Sequence, residues 1–318
     1  MTIKVLFHDN CFDGAASAAV FSRFYREKIN QSAQIVYQGL VHKAGAAAID
    51  DSAFTGDENA IVDFRFSQNP RLTWWFDHHQ SAFQQAGDEA SFRADRSGKK
   101  FHDPTRKSCT KYLAEIASSQ FGFDSAPMAE LIYWGELIDG AQFESPQMAV
   151  ELKEPALKLM TVLESNKATD FMPKVILDLQ TLSLKEIVEK KYVAEAFEPL
   201  LERHRRAIEV VRDKVRYENG IVFFDVADEG YDALNKFISY YLYPNARYTV
   251  WVGRSPQRAK VSIGCNPWQP HLRQHDLSRI AERYGGGGHP VVAAMSFRSD
   301  EIDRAREVAS EILSELQH

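Results

Sequence analysis

Trp74-Trp75-Phe76-Asp77-His78-His79 is the stretch around which this sequence is organised. Its aromatic, apolar part predicts a buried strand, and that strand ends abruptly in a carboxylate and two imidazoles. In an open α/β sheet the carboxyl ends of the strands face the ligand crevice. Asp and His together at such an end suit a divalent metal of intermediate hardness. An Asp cap followed by two surface histidines would have the same sequence, so the stretch needs support from elsewhere in the chain.

Two other predicted strands end in the same way. Residues 3–7 run into His8-Asp9-Asn10-Cys11-Phe12-Asp13-Gly14, and residues 59–62 run into Asp63. A further strand is predicted over 34–38, and the connections are long enough to hold helices, which favours a largely parallel sheet. The strand ends would then share one edge and form a dense negative pocket, which is costly unless cations occupy it.

Two of the carboxylates also have local explanations. Asp13 could be an ordinary helix N-cap, although a cap does not explain the whole cluster, in which Gly14 permits close backbone approach. Asp139 follows a helix predicted over 126–138, where a carboxylate opposes the helix dipole and needs a partner. That partner could be a metal ion or a neighbouring Lys or Arg.

The remaining chain divides into a helical middle and a second α/β unit. Residues 93–107 are rich in charge and predict a mobile loop, which could meet an anionic substrate or simply be solvated. Helices are predicted over 108–118 and across 148–217. The second unit predicts strands over 220–225, 247–252 and 259–263 and helices over 231–241, 277–283 and 300–316.

The second unit contains one unusual feature, the run Gly285-Gly286-Gly287-Gly288-His289. A run of glycines exposes backbone N–H groups and can cradle phosphate, or it can be a flexible hinge. We interpret the residues after His289 as the start of an apolar helix, which favours a binding loop.

Composition excludes several classes of protein. The chain has 318 residues, enough for two domains, and a net charge of −6, which is not that of a globally basic nucleic-acid binder. The three cysteines are far apart, which argues against a disulfide framework and fits a reducing cytoplasm. No apolar run approaches the roughly 18 residues of a transmembrane helix.

These motifs, in this order, resemble those of the DHH phosphoesterase superfamily, in its two-domain branch with a C-terminal DHH-associated domain. Asp77-His78-His79 matches the name-giving motif, the stretch from His8 to Gly14 the first motif, Asp63 the second and Asp139 the fourth. Residues 285–294 resemble the glycine-rich motif of the associated domain. The resemblance covers nearly the whole chain.

The resemblance implies an α/β fold in two parts, with the active site in the cleft between them. A mostly parallel DHH domain would occupy residues 1–190, a helical linker 191–217, and a smaller α/β DHH-associated domain 218–318. It also implies a cytoplasmic hydrolase with two Mn²⁺ ions, Mg²⁺ or Co²⁺ being alternatives. In such two-metal sites the ions lie about 3.5–4 Å apart and activate water.

The resemblance also implies roles for individual residues. The metal ligands would be Asp9, Asp13, Asp63, Asp77, His79 and Asp139, with His8 and Cys11 as further ligands or as supports for them. Asp77, His78 and His79 would form the catalytic motif, with His78 on the phosphate or the leaving oxygen. The substrate would be bound by Gly286, Gly287, Gly288 and His289.

Two positions depart from the family pattern. Cys11 stands where a third acidic residue is common, and a neutral thiol is a poor ligand for Mn²⁺, so either one metal subsite is weaker or His8 compensates. Met295 stands where the glycine-rich motif usually closes on a glycine, which leaves the shape of that pocket open.

We expect hydrolysis of phosphodiester bonds in small nucleotides, such as short oligonucleotides, cyclic dinucleotides or nucleotide bisphosphates. Two alternatives stay open, a phosphoanhydride hydrolase acting on pyrophosphate or polyphosphate and a nucleotide-sensing module whose catalysis has lapsed. The expected partner is a small phosphorylated substrate, with no membrane and no long duplex nucleic acid. A monomer and a homodimer are both compatible with the sequence.

Overall fold

A parallel sheet of five strands forms the centre of the N-terminal part of the chain. The computed structural model describes residues 1–41 and 48–317. The strand order is β2-β1-β3-β4-β5, and every neighbouring pair is parallel. The strands are β1 (Thr2–His8), β2 (Gln34–Leu40), β3 (Glu58–Val62), β4 (Leu72–Asp77) and β5 (Lys100–His102). The predicted α/β class and the four strands expected here are confirmed.

One strand of this sheet was not expected. The interpretation of residues 93–107 as a mobile loop is wrong for Lys100–His102, which pairs with Trp75–Asp77 at the edge of the sheet. A strand of three residues is too short to show an alternating pattern, and Gly98 and Pro104 on either side suggested a loop.

Helices cover this sheet and include the predicted ones that flank the motifs. They are α1 (Phe12–Lys28), α2 (Asp88–Ala94), α3 (Cys109–Phe121), α4 (Ala129–Asp139), α6 (Pro155–Ser165), α7 (Phe171–Leu179) and α8 (Leu184–Glu189). The small side chains of α1, such as Ala15 and Ala19, are fully buried. Gly14 in its first turn allows the closest approach, because a Cβ there would lie 2.1 Å from the His8 carbonyl oxygen.

Contacts between Cα atoms divide the chain into two units. The first unit comprises Met1–Phe143 and Lys153–Glu198, and the second comprises Glu144–Leu152 and Pro199–His318. Helix α5 (Pro146–Glu151) belongs to the second unit, and the long helix α9 (Lys191–Lys214) contains the boundary between Glu198 and Pro199.

The second unit has a mixed sheet of six strands in the order β10-β11-β9-β8-β7-β6. These strands are β6 (Arg216–Glu218), β7 (Ile221–Asp225), β8 (Tyr248–Arg254), β9 (Ala259–Cys265), β10 (Gly287–His289) and β11 (Val292–Phe297). Only β7 and β8 run parallel to each other. Its helices are α10 (Ile238–Leu242), α11 (Leu277–Glu282) and α12 (Ile302–Leu316), and α12 covers the sheet with buried residues such as Val308 and Ile312.

Two expectations for this unit are wrong. The helix expected over 231–241 is confined to Ile238–Leu242, because Asn235 accepts from the Phe237 N–H and starts the helical region late. No helix begins after His289, since β10 turns directly into β11 and pairs with it antiparallel. Across the described residues, 1–41 and 48–317, we find no helix with both the length and the apolar character needed to cross a membrane.

Candidate metal centre

The carboxyl ends of β1, β3 and β4 bring the polar residues of three motifs to one edge of the first sheet, as the parallel arrangement predicts. Asp63 follows β3 with a left-handed backbone, φ 56°, and its N–H donates to the Phe76 carbonyl at 3.0 Å. A non-glycine residue in this conformation costs roughly 1–3 kcal/mol, and such strain concentrates at functional sites. Here it accompanies a carboxylate that is only 1% exposed.

His78 occupies the middle of the cluster. Its Nε2 lies 3.2 Å from Asp139 Oδ2, 3.5 Å from Asp63 Oδ1 and 3.9 Å from Asp13 Oδ2. Burial alone would lower the pKa of the ring, but these three carboxylates raise the pKa of His78 to about 11. Among the described residues, the ion-pair partner of Asp139 at the end of α4 is therefore this imidazole and not a Lys or Arg.

The hydrogen bond of the other ring nitrogen, Nδ1, determines whether Nε2 of a neutral His78 carries a proton. His78 Nδ1 lies 3.1 Å from the carbonyl oxygen of Arg106, and since a carbonyl only accepts, Nδ1 must be the donor. Nε2 of a neutral ring then presents a lone pair to three carboxylates. That arrangement is repulsive unless a cation lies between them, either a proton or a metal ion. A metal-binding His usually donates its other N–H to just such an acceptor.

Asp63 links two halves of the cluster. Its Oδ2 lies 3.3 Å from His8 Nδ1, and its Oδ1 faces His78 and His79. Burial would raise the pKa of Asp63, but His78 and His8 hold it below its usual range. Three groups of side chains are close enough to share an ion, namely His8 with Cys11 and Asp63, Asp63 with His78 and His79, and Asp13 with His78 and Asp139.

Asp13 is held by the N-terminus of α3. Its Oδ2 accepts from the Cys109 N–H at 2.7 Å and its Oδ1 from the Thr110 N–H at 3.1 Å. Burial and the charges of Asp63 and Asp139 raise the pKa of Asp13. Asp13 is not the N-cap of its own helix, a position that Cys11 occupies; its carboxylate instead binds the start of α3 and joins a cluster of like charges.

Asp77 organises the turn that follows β4. Its Oδ1 accepts from the backbone N–H of His78 at 2.9 Å and contacts His79 Nδ1 at 2.7 Å. Burial would lower the pKa of His79, but Asp77 raises it to about 9. Asp77 Oδ1 therefore orients both histidines, while Oδ2 remains available for another contact.

Four buried polar atoms of this cluster have no hydrogen-bond partner among the described residues: both oxygens of Asp63, Asp77 Oδ2 and His78 Nε2. Buried polar atoms are normally hydrogen-bonded. Within the described ranges, no Lys or Arg forms an ion pair with any of these residues. Carboxylate oxygens with imidazole nitrogens form a donor set for a divalent metal, and the residues present fit such an ion.

Cys11 and Asp9 are weaker candidates for metal ligands than the other residues of the cluster. The Cys11 thiol is grouped with His8 and Asp63, and burial, together with Asp63 and Asp13, raises the pKa of Cys11 well above its ordinary value. It is therefore a neutral thiol at neutral pH. Asp9 Oδ1 accepts from the Asn10 N–H. The Asp9 carboxylate packs against Gly39, where an added Cβ would lie only 2.5 Å from it. Asp9 is in none of the three groups, so its role as a ligand stays a prediction.

The glycine-rich run of the second unit forms the exit of α11 and an edge strand. Gly285 has φ 72°, and the Gly286 N–H returns to the Ala281 carbonyl, which ends the helix. A Cβ on Gly286 or Gly288 would lie 2.4 or 2.5 Å from a carbonyl of β11. Gly285 and Gly287 have open space around that position. His289 at the end of β10 is exposed.

Contacts that orient the histidines include two that the sequence did not reveal. The Arg106 carbonyl positions His78, and His102 Nε2 lies 2.8 Å from the carbonyl of His79. Both belong to the segment interpreted as a mobile loop. The one feature of the sequence that could have indicated these contacts is the histidine, His102, in that segment.

Comparisons with known proteins agree with this fold. No family model and no curated protein matches the chain. Among solved structures, a pGpG-specific phosphodiesterase, PggH from Vibrio cholerae, is 17% identical with a TM-score of 0.71 over 99% of both chains. The DHH domain of a protein assigned to a family of ribosomal proteins is 12% identical, with a TM-score of 0.63 over 98% of this chain and 86% of that one.

An exonuclease RecJ bound to manganese is also similar, with 12% identity and a TM-score of 0.50 over 98% of this chain and 90% of that chain. Identities this low establish the fold and not the activity. The resemblance expected from the motifs is confirmed at the level of the fold: the chain has the α/β fold of these DHH-domain structures.

Proposed function

We propose that this protein is a metal-dependent phosphodiesterase that hydrolyses short, linear nucleotides. The observation that supports this most directly is the imidazole of His78, whose Nε2 faces three carboxylates at one edge of the sheet. Such a cluster is arranged to bind divalent cations, and divalent cations assist hydrolysis of phosphate esters.

The ligand set follows from the three groups of side chains. We propose one subsite at Asp13, His78 and Asp139 and another at His8 and Asp63, with Asp63 shared between them. This gives His78 the place that the sequence analysis assigned to His79. Asp77 and His79 then act mainly by fixing the turn, while Asp77 Oδ2 and Asp9 remain candidates for additional ligands.

Bound ions would supply a nucleophile from water at neutral pH and neutralise charge on the phosphate. The residues of the chain hold the ligands in position. Asp77 Oδ1 and the Arg106 carbonyl hold the two imidazoles in one orientation. The backbone N–H groups of α3 hold Asp13. Positioning of this kind lowers the cost of bringing the reactants together.

The substrate class is proposed from the fold and from the second unit. A solved structure that resembles the chain over 99% of both lengths is that of a pGpG-specific phosphodiesterase, so a linear dinucleotide with a 5′-phosphate is the first substrate to test. We propose that Gly286, Gly287, Gly288 and His289 bind such a substrate. Gly287 is the best placed of the three glycines, since its Cβ position is open.

The test is a hydrolysis assay with Mn²⁺, with Mg²⁺ or with chelator, on substrates of matched concentration. The panel contains pGpG, a cyclic dinucleotide, a nucleotide bisphosphate, pyrophosphate and a short polyphosphate. We expect Mn²⁺-dependent cleavage of pGpG to two mononucleotides. Cleavage of pyrophosphate or polyphosphate alone would instead identify a phosphoanhydride hydrolase. Tight binding of a nucleotide without turnover under any metal would identify a sensing module.

A further inference from the structure

The segment after β5 supports the Asp77-His78-His79 turn from outside. The Arg106 carbonyl accepts from His78 Nδ1, and the Asp103 N–H donates to the Asp77 carbonyl at 3.3 Å. In both contacts the atom contributed by this segment is a backbone atom. His102 adds the one side-chain contact among them, from its Nε2 to the His79 carbonyl at 2.8 Å. The carbonyl can only accept, so Nε2 of His102 is the donor.

Packing fixes the position of the His102 ring. The ring stacks on Trp75 with centroids 5.5 Å apart and planes inclined by 14°. Phe83 meets it edge-on at 5.0 Å and Phe92 at 6.3 Å. A ring packed on three aromatic residues has little freedom, so its N–H points at one place. That place is the backbone of His79, directly beside the candidate ligands.

A chain of contacts leads from His102 to the cluster. The His79 carbonyl also accepts from the Ala82 N–H at 3.2 Å, so His102 is its second donor. With the His79 backbone fixed, its ring Nδ1 stays 2.7 Å from Asp77 Oδ1, the oxygen that also accepts from the His78 N–H. Removal of the His102 donor would therefore loosen the turn that aims His78 at Asp13, Asp63 and Asp139.

We propose that His102 is a positioning residue for the metal centre, acting through the His79 carbonyl without touching metal or substrate. The inference rests on the proposed metal-dependent function. Groups that support metal ligands in this way typically change metal affinity by about 10- to 100-fold when removed. The remaining Ala82 donor places the expected effect at the lower end, about tenfold.

The experiment compares H102Q with H102M in the full-length chain. Both side chains are unbranched, and Gln places an amide nitrogen as many bonds from Cα as Nε2 of His, whereas Met has no donor. H102F keeps an aromatic ring without a donor and serves as a second variant. H204F is the matched control, because His204 Nε2 contacts the Val150 carbonyl at 2.7 Å within the second unit. Isothermal titration with Mn²⁺ measures affinity, and thermal unfolding in chelator measures stability.

We expect H102M and H102F to bind Mn²⁺ about tenfold more weakly, H102Q to bind nearly as wild type, and H204F to bind as wild type even if its melting temperature falls. Equal affinity in H102M and wild type would overturn the inference, as would equal weakening in H102Q and H102M, which would indicate packing alone. Absence of Mn²⁺ binding by wild-type protein would overturn the proposed function itself, which is a distinguishable result.

Discussion

Aspartates at strand ends behave differently in the two units: Asp63 and Asp77 of the first unit join the cluster, whereas Asp225 of the second unit does not. Asp63 follows β3 and Asp77 ends β4 in the first unit, and Asp225 ends β7 in the second. Asp225 Oδ2 accepts from Arg306 Nε at 2.7 Å, and its Oδ1 accepts from the Ala227 N–H at 3.0 Å. Both oxygens of Asp225 therefore have partners.

Asp63 shows the opposite situation. It is buried, neither oxygen has a hydrogen-bond partner among the described residues, and the nearby groups are imidazoles and other carboxylates. A strand-end aspartate is thus a structural residue when an arginine neutralises it and a candidate ligand when none does. The sequence pattern is the same in both, and the difference lies in side chains that come from distant parts of the chain.

The largest effect should separate these two aspartates. D63N keeps the shape of the side chain, and Asn tolerates the left-handed backbone of this position, so the variant should fold. It removes a charge shared by both proposed subsites, and metal catalysis is worth several kcal/mol, or roughly a thousandfold in rate. We expect kcat/KM with Mn²⁺ to fall by at least that factor and the bound metal to decrease.

D225N is the matched control for that experiment. Its ion pair with Arg306 is partly exposed, and such pairs contribute about 0.2–1 kcal/mol. Metal content and kcat/KM should therefore stay within about threefold of wild type, which corresponds to less than 1 kcal/mol. Equal losses in D63N and D225N would show that strand-end aspartates act here through stability, and the comparison would fail.

A second comparison sets the metal cluster against the glycine-rich edge strand. Loss of one hydrogen bond to a charged group costs roughly 1.5–3 kcal/mol, or about 10- to 150-fold. We expect H289A to slow turnover of nucleotide substrates by a factor in that range while metal content is unchanged. Hydrolysis of a minimal chromogenic phosphodiester should hardly change, because that ester offers His289 nothing to bind.

The same assay can contradict the assignment of metal binding to the cluster and of substrate binding to the glycine-rich edge strand. If H289A slows the small ester as much as the nucleotide, His289 takes part in the chemical step. If it affects neither substrate, the run Gly285–Gly288 serves only as the end of α11 and the edge of the sheet. H271A, which removes another exposed histidine of the second unit, is the control for this substitution.

The smallest effect should come from the thiol of the cluster, Cys11. Burial and neighbouring carboxylates raise the pKa of Cys11, so its thiol is a poor partner for Mn²⁺. C11D would add an anionic oxygen beside His8 and Asp63, and we expect one Mn²⁺ site to tighten by about tenfold, or about 1.4 kcal/mol. C265S, which alters a cysteine of the second unit, is the control in the same titration. Unchanged affinity in C11D would show that position 11 faces away from the ions.

Much of the fold and of the candidate metal centre could be predicted from the sequence, because both depend on where the apolar runs end. Apolar runs ending at Asp63 and Asp77 indicated strands, and parallel strands place their carboxyl ends on one edge. The directions of the two imidazoles could not be predicted. They depend on the Arg106 carbonyl and on Asp77 Oδ1, and a backbone carbonyl carries no signal in the sequence.

The same limit applies to the second unit. Four consecutive glycines predicted a loop leading into a helix, whereas Gly286 and Gly288 are needed because β11 passes close to them. That close approach is a tertiary contact, and Val291 and Val292 are as compatible with a strand as with a helix. The edge strand β10 therefore could not be predicted from the sequence and is identified by its pairing with β11.

The central claim is that the cluster around His78 binds metal ions and that the environment of Asp225 does not. Anomalous difference maps from crystals grown with Mn²⁺ test it most directly, because the peaks locate manganese without reference to activity. We expect two peaks, one bounded by Asp13, His78 and Asp139 and one by His8 and Asp63, with none at Asp225. A map without a peak at His78 Nε2, or with the strongest peak at Asp225, would contradict it.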